Sequence, residues 1–126
     1  MKAYGNILIV DDSSTSRMII QRCLEMSGLK VGAYSYAENG LEGMKRIKGE
    51  SAVDLVITDI NMPKMDGQTF ARLMKESDAT RNIPIIVVSS IATDAAEAEL
   101  MALGVQAVIR KPVSPAKILL ALGDKQ

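Results

Sequence analysis

"ILIVDDSSTSRMIIQRCLEM" (residues 7–26) changes its period in the middle. The first four residues are continuously apolar and mostly β-branched, as expected of a strand buried on both faces. After Asp11 and Asp12 the apolar residues recur at helical spacing, with Met18, Ile19, Cys23 and Met26 near one face. The stretch therefore reads as a strand that feeds a helix. The same change recurs along the chain. Strand-like runs lie at Leu55–Ile57, Ile85–Val88 and Ala107–Ile109, with a weaker one around Val31–Tyr36. Helical spacing follows over 39–49 (Leu41, Met44, Ile47, Lys48), 67–76 (Phe70, Leu73, Met74) and 94–103 (Leu100, Met101, Leu103), where Gly104 is a natural stop. Ser114 and Pro115 form an N-cap and first-turn pair for a last helix through Leu122, and the tail from Gly123 to Gln126 reads as frayed. Five strand–helix units predict an α/β fold: a five-stranded parallel sheet, doubly wound as (βα)5.

The 126 residues predict one domain, spanning 1–126, large enough to bury a core without disulfides or a structural metal. Fifteen basic residues balance fifteen acidic ones, which gives no charge argument for nucleic acid. The absence of histidine excludes every mechanism that needs an imidazole from this chain. No apolar run reaches the length of a membrane span, and Met1–Tyr4 does not read as a signal peptide. Cys23 is a lone cysteine and is expected to be a small core residue. A cytoplasmic protein with no membrane partner is expected.

Ligands of open α/β sheets bind beyond the carboxyl ends of the strands. The residues at those ends are Asp11-Asp12, then Thr58-Asp59 with Asn61-Met62-Pro63, then Ser89-Ser90, and finally Arg110-Lys111-Pro112. Three carboxylates, hydroxyls and a cation thus converge on one edge. Clustered carboxylates repel unless a cation joins them, and a hard divalent ion such as Mg²⁺ suits oxygen donors. Lysine supplies a point charge for phosphate oxygens, and an aspartate can itself be a nucleophile. These parts suit phosphoryl transfer onto a carboxylate.

The segments "ILIVDDS" (7–13), "DLVITDINMPKMDG" (54–67), "PIIVVSS" (84–90) and "RKP" (110–112) resemble the receiver domain of bacterial response regulators, in particular its stand-alone CheY-like members. The resemblance covers essentially the whole chain. It implies the flavodoxin-like strand order 2-1-3-4-5 and these roles: Asp59 accepts a phosphoryl group from a histidine kinase or phosphotransfer protein. Asp12, Asp59 and the backbone carbonyl of Asn61 ligate Mg²⁺, and Asp11 acts through a metal-bound water. Lys111 pairs with the phosphoryl group across a cis Lys111–Pro112 bond, Ser89 hydrogen-bonds a phosphoryl oxygen, and Gly67 lets the loop after the third strand turn. The implied protein is no enzyme toward external substrates; it catalyses only its own phosphorylation and dephosphorylation. With no output domain, it acts by binding a downstream target protein.

One position departs from the family. The residue three before the site lysine is usually Tyr or Phe and serves as a switch; here it is Val108. Val113, after the proline, is also small, and aromatic content is only 3%, so few rings can substitute. A receiver-fold scaffold with altered output is the alternative this suggests.

Other readings compete. Asp11-Asp12 alone fit a solvated helix N-cap, and Ser13-Ser14-Thr15-Ser16 reads as capping and first-turn chemistry, lacking the glycine of a phosphate loop. Asp66-Gly67 also fits a plain helix start, and the methionines read as core filler although Met62 and Met65 fall in the site loop. Arg110 points away from Lys111 in an extended strand and is expected to be solvated, and Ser90 has no assigned role. An aspartate-nucleophile phosphatase needs an acid two residues after its nucleophile, where this chain has Asn61. A flavin carrier needs a glycine-containing phosphate loop and aromatic rings. Asn61 and Ile91 are expected to flank the approach of water to Asp59.

Overall fold

The computed structural model describes residues 3–49, 52–90 and 93–123. Strands and helices alternate: β1 (Ala3–Val10), α1 (Ser14–Met26), β2 (Lys30–Ala37), α2 (Gly40–Gly49), β3 (Leu55–Asp59), α3 (Gly67–Glu76), β4 (Ile85–Ser89), α4 (Asp94–Leu103), β5 (Ala107–Arg110) and α5 (Pro115–Ala121). The five strands form one parallel sheet in the order β2-β1-β3-β4-β5. The expected fold class and strand order are both observed. Asp124–Gln126, where fraying is expected, lie outside the described residues.

Alternation along β1 divides the core. Ile7 and Ile9 face α1 and α5, where Ile20, Leu24, Ile118 and Leu122 close over them. Leu8 and Val10 face the other side, with Phe70, Met74 and Leu100 from α3 and α4 and the half-buried Met44 and Ile47 from α2. Burying one such aliphatic or aromatic side chain contributes about 1.5–3 kcal/mol relative to leaving it in water. Ser13, Asp66, Thr93 and Ser114 cap α1, α3, α4 and α5 by accepting the backbone N–H three residues on. Gly104 ends α4 in the left-handed region at φ 99°.

The apolar face expected of α1 is corrected. The helix buries Ile20, Cys23 and Leu24, whereas Met18, Ile19 and Met26 are 67%, 50% and 68% exposed. Two apolar stripes share Cys23, and the one carrying Ile20 and Leu24 a turn apart meets the sheet. Leu41 is likewise exposed, although it falls on the apolar period of α2. Met62 and Met65 pack against the core, and Met65 lies over Gly40.

Gly67 is needed for close approach. A Cβ there would stand 2.0 Å from the Asp59 carbonyl oxygen, and the Gly67 N–H donates to the Ile60 carbonyl at 2.8 Å. The first turn of α3 thereby rests directly on the backbone that carries Asp59.

Candidate functional site

Sheet register gathers the site. Val10 pairs with Thr58, so Asp11 leaves β1 beside Asp59 at the end of β3. Asp59 pairs with Val88, which sets Ser89 one step beyond. Ser89 pairs with Arg110, and the Lys111 N–H donates to the Ser89 carbonyl at 2.9 Å. Four strand ends therefore bring Asp11, Asp12, Asp59, Ser89 and Lys111 to one edge.

Carboxylate oxygens of Asp11, Asp12 and Asp59 all lie within 4.8 Å of one another. Asp11 is 1% exposed. Its Oδ1 accepts the Ser13 N–H at 3.0 Å and its Oδ2 accepts the Ser16 hydroxyl at 2.5 Å. Arg17 Nη1 donates to the Asp11 carbonyl at 2.6 Å. Asp59 is half-buried, and its Oδ1 accepts the Ile60 N–H at 2.8 Å. The Lys111 ammonium stands 3.6 Å from Asp11 Oδ2 and 3.7 Å from Asp59 Oδ2. The Lys111–Pro112 bond is cis. Ser89 is buried at the end of β4, and Asn61 is exposed at the start of the loop after β3. Ile91 lies outside the described residues.

Burial pushes the Asp59 carboxyl above the ordinary carboxylate range. The Ile60 N–H opposes the rise, Asp11 adds to it, Lys111 opposes it and Asp12 adds to it. One lysine against three acids leaves a site short of positive charge. Three carboxylates that offer only oxygen donors this close together fit a hard divalent cation such as Mg²⁺.

A sequence profile of the response regulator receiver domain matches residues 7–123. The chain belongs to this family. The receiver is 39% identical over 109 residues to the sensor histidine kinase CheAY of Helicobacter pylori, an alignment covering 86% of this chain and 13% of that protein. It is 32% identical over 109 residues to the chemotaxis protein CheY1 of the same species, covering 86% of each. The receiver spans 13–58% of the length of the first curated relatives it matches. Among solved structures, it superposes on the CheX–CheY–BeF3–Mg²⁺ complex of Borrelia burgdorferi with a TM-score of 0.80 at 29% identity, over 94% of this chain and 86% of that one. The response regulator receiver protein of Pseudomonas putida gives 0.81 at 26% identity over 98% of both chains. The receiver is CheY-like; receiver domains bind Mg²⁺ at an acidic pocket, and this one carries the Asp11, Asp12 and Asp59 cluster.

Three features of the receiver escape a reading of the sequence. The Thr58 hydroxyl, fully buried, donates to the Asp59 carbonyl at 2.9 Å. Ser16, which reads as helix-capping chemistry, reaches the site instead. Arg110 is not simply solvated: it pairs with Asp94 at 2.7 Å and Glu97 at 3.0 Å, joining the end of β5 to the first turn of α4. Acidic residues at the start of a helix thirteen and sixteen positions before an arginine carry no sequence signal for such a contact until strand order is known.

Proposed function

We propose that this receiver acts as a response regulator of a two-component phosphorelay, with residues 1–126 forming a single receiver domain whose surface is read by a target protein. Its phosphoacceptor is Asp59. A carboxylate oxygen of Asp59 attacks phosphorus while the bond to the donor histidine nitrogen breaks, and the departing imidazole keeps the electron pair. Lys111 meets the developing charge on the phosphoryl oxygens, and Ser89 donates a hydrogen bond to one of them. Asp12, Asp59 and the Asn61 carbonyl would hold Mg²⁺, with Asp11 acting through a water. Bound there, the ion would supply positive charge against the acidic cluster and the incoming phosphoryl oxygens. The receiver turns over no external substrate, since Asn61 stands where a phosphatase of this fold needs an acid. A histidine kinase or phosphotransfer protein donates, a target protein reads the state, and both meet the receiver in the cytoplasm. No helix among the described residues is long and apolar enough to cross a membrane.

The observation that carries this reading is the meeting of three acids from the ends of the adjacent strands β1 and β3 with Lys111 from the end of β5. Beryllofluoride, a phosphoryl mimic, tests it. Amide spectra should show saturable binding only with Mg²⁺ present, with shifts around Asp59, Ser89 and Lys111. Binding without Mg²⁺, or shifts away from these strand ends, contradicts it.

Val108 favours a modified output. It packs half-buried on the α4 side of the sheet, below the Arg110 pairs with Asp94 and Glu97. Valine has no ring to swing, so the state must reach a target by another route, or the fold serves as a scaffold with altered output.

A further inference from the structure

The run Ser13–Ser16 carries four hydroxyls, and the phosphoacceptor reading uses none of them. Capping accounts for Ser13, whose hydroxyl accepts the Ser16 N–H at 3.2 Å. The Ser13 N–H is satisfied in turn by Asp11 Oδ1. Both capping duties of α1 are thus filled without the Ser16 hydroxyl. That hydroxyl turns inward: it donates to Asp11 Oδ2 at 2.5 Å and receives the Lys111 ammonium at 3.2 Å. A lysine ammonium can only donate, so the direction of this chain is fixed as Lys111 to Ser16 to Asp11.

The distances separate two kinds of contact. Lys111 lies within hydrogen-bond reach of Ser16 Oγ, but 3.6 and 3.7 Å from the carboxylates of Asp11 and Asp59, which is beyond it. Resting on the reading of Asp59 as phosphoacceptor, we propose that Ser16 is a positioning residue for phosphoryl transfer, holding the Lys111 ammonium beside the Asp59 carboxylate and off it. An ammonium closed onto Asp59 would stabilise the ground state and occupy the nucleophilic oxygen, and that pair would have to break before attack. A neutral hydroxyl tether keeps the charge close to the incoming phosphoryl oxygens while leaving Asp59 Oδ2 open. The second link, to Asp11, couples the phosphate side of the site to its metal side through one helix residue.

The test compares wild type, Ser16→Ala and Ser16→Thr with acetyl phosphate as donor and Mg²⁺ saturating, following the phosphoprotein by intact mass over time. Ser16→Ala should lower the maximal rate constant about threefold to tenfold, the loss expected of one hydrogen bond, with donor KM little changed. Ser16→Thr, which keeps a hydroxyl, should recover to within about twofold of wild type. If Ser16→Ala does not fold, Ser16→Cys takes its place and should be as slow, because a thiol is a weak hydrogen-bonding group. Alanine at the wild-type rate overturns the proposal. So does threonine as slow as alanine, or a deficit that vanishes as donor is raised. Wild type that takes no phosphoryl group on Asp59 defeats the phosphoacceptor reading and this proposal with it, whereas normal wild-type labelling with an unaffected alanine variant defeats the role of Ser16 alone.

Discussion

Asp59→Asn is expected to melt higher than wild type when Mg²⁺ is absent, and to accept no phosphoryl group. Both results follow from the same placement. The Asp59 carboxyl is held above its ordinary range by burial, with Asp11 and Asp12 beside it. The native state therefore grips the proton more tightly than the unfolded chain. Stability from this group is present below the unfolded value and is lost as pH rises through the higher folded one. At neutral pH the ionised Asp59 works against the fold, and the isosteric amide removes that charge. The melting midpoint should rise by roughly 3–6 °C, the shift produced by about 1 kcal/mol in a domain of this size. The gap should close below the carboxylate range, where wild type is neutral as well. It should also narrow with Mg²⁺, which stabilises by binding the native state. Thermal unfolding followed by circular dichroism at several pH values checks this, and a variant that melts below wild type at pH 7 without metal contradicts it.

Lys111→Met should slow phosphorylation by a small donor about 10- to 100-fold at saturating Mg²⁺. This corresponds to the about 1.5–3 kcal/mol of a hydrogen bond to a charged group. Methionine keeps much of the stem, so the loss reports the ammonium. The same change removes a cation paired with the buried Asp11 carboxylate, so the metal-free protein should also lose stability, and Mg²⁺ should restore part of it. Lys111→Arg should not restore the rate. The guanidinium is planar and larger, and the ammonium sits as a compact point charge between Asp11, Ser16 and Asp59. Time courses of intact mass give the rates, and a methionine variant as fast as wild type rules out the role given to Lys111.

Much of this arrangement was legible because a doubly wound sheet makes strand ends predictable. Ile7–Val10 and Ile85–Val88 are buried on both faces, and such strands write themselves as unbroken apolar runs. Once the runs are found, Asp11, Asp59 and Lys111 fall on one edge of the sheet, and the strand order implied by the family resemblance brings them together without side-chain detail. β2 reads weakly because it is an edge strand with most of its residues exposed or half-buried. Other features depend on which way a side chain turns. The buried stripe of α1 could not be chosen between two that share Cys23. Ser16 looked like one more capping hydroxyl, and only the presence of Lys111 across the turn after β5 gives it a second partner. Arg110 reaches α4 because β5 runs past its first turn, a neighbourhood set by tertiary packing. Gly67 was expected to serve a turn. Its reason is contact with the backbone of Asp59, which sequence spacing does not express.

Peptide mapping of the receiver after exposure to acetyl phosphate tests the central claim most directly. With Mg²⁺, the intact mass should rise by one phosphoryl group, confined to the peptide that carries Asp59; without Mg²⁺, or in Asp59→Asn, the rise should be absent. No mass gain in wild type with Mg²⁺, or a gain that maps to Asp11, Asp12 or Ser89, contradicts the account.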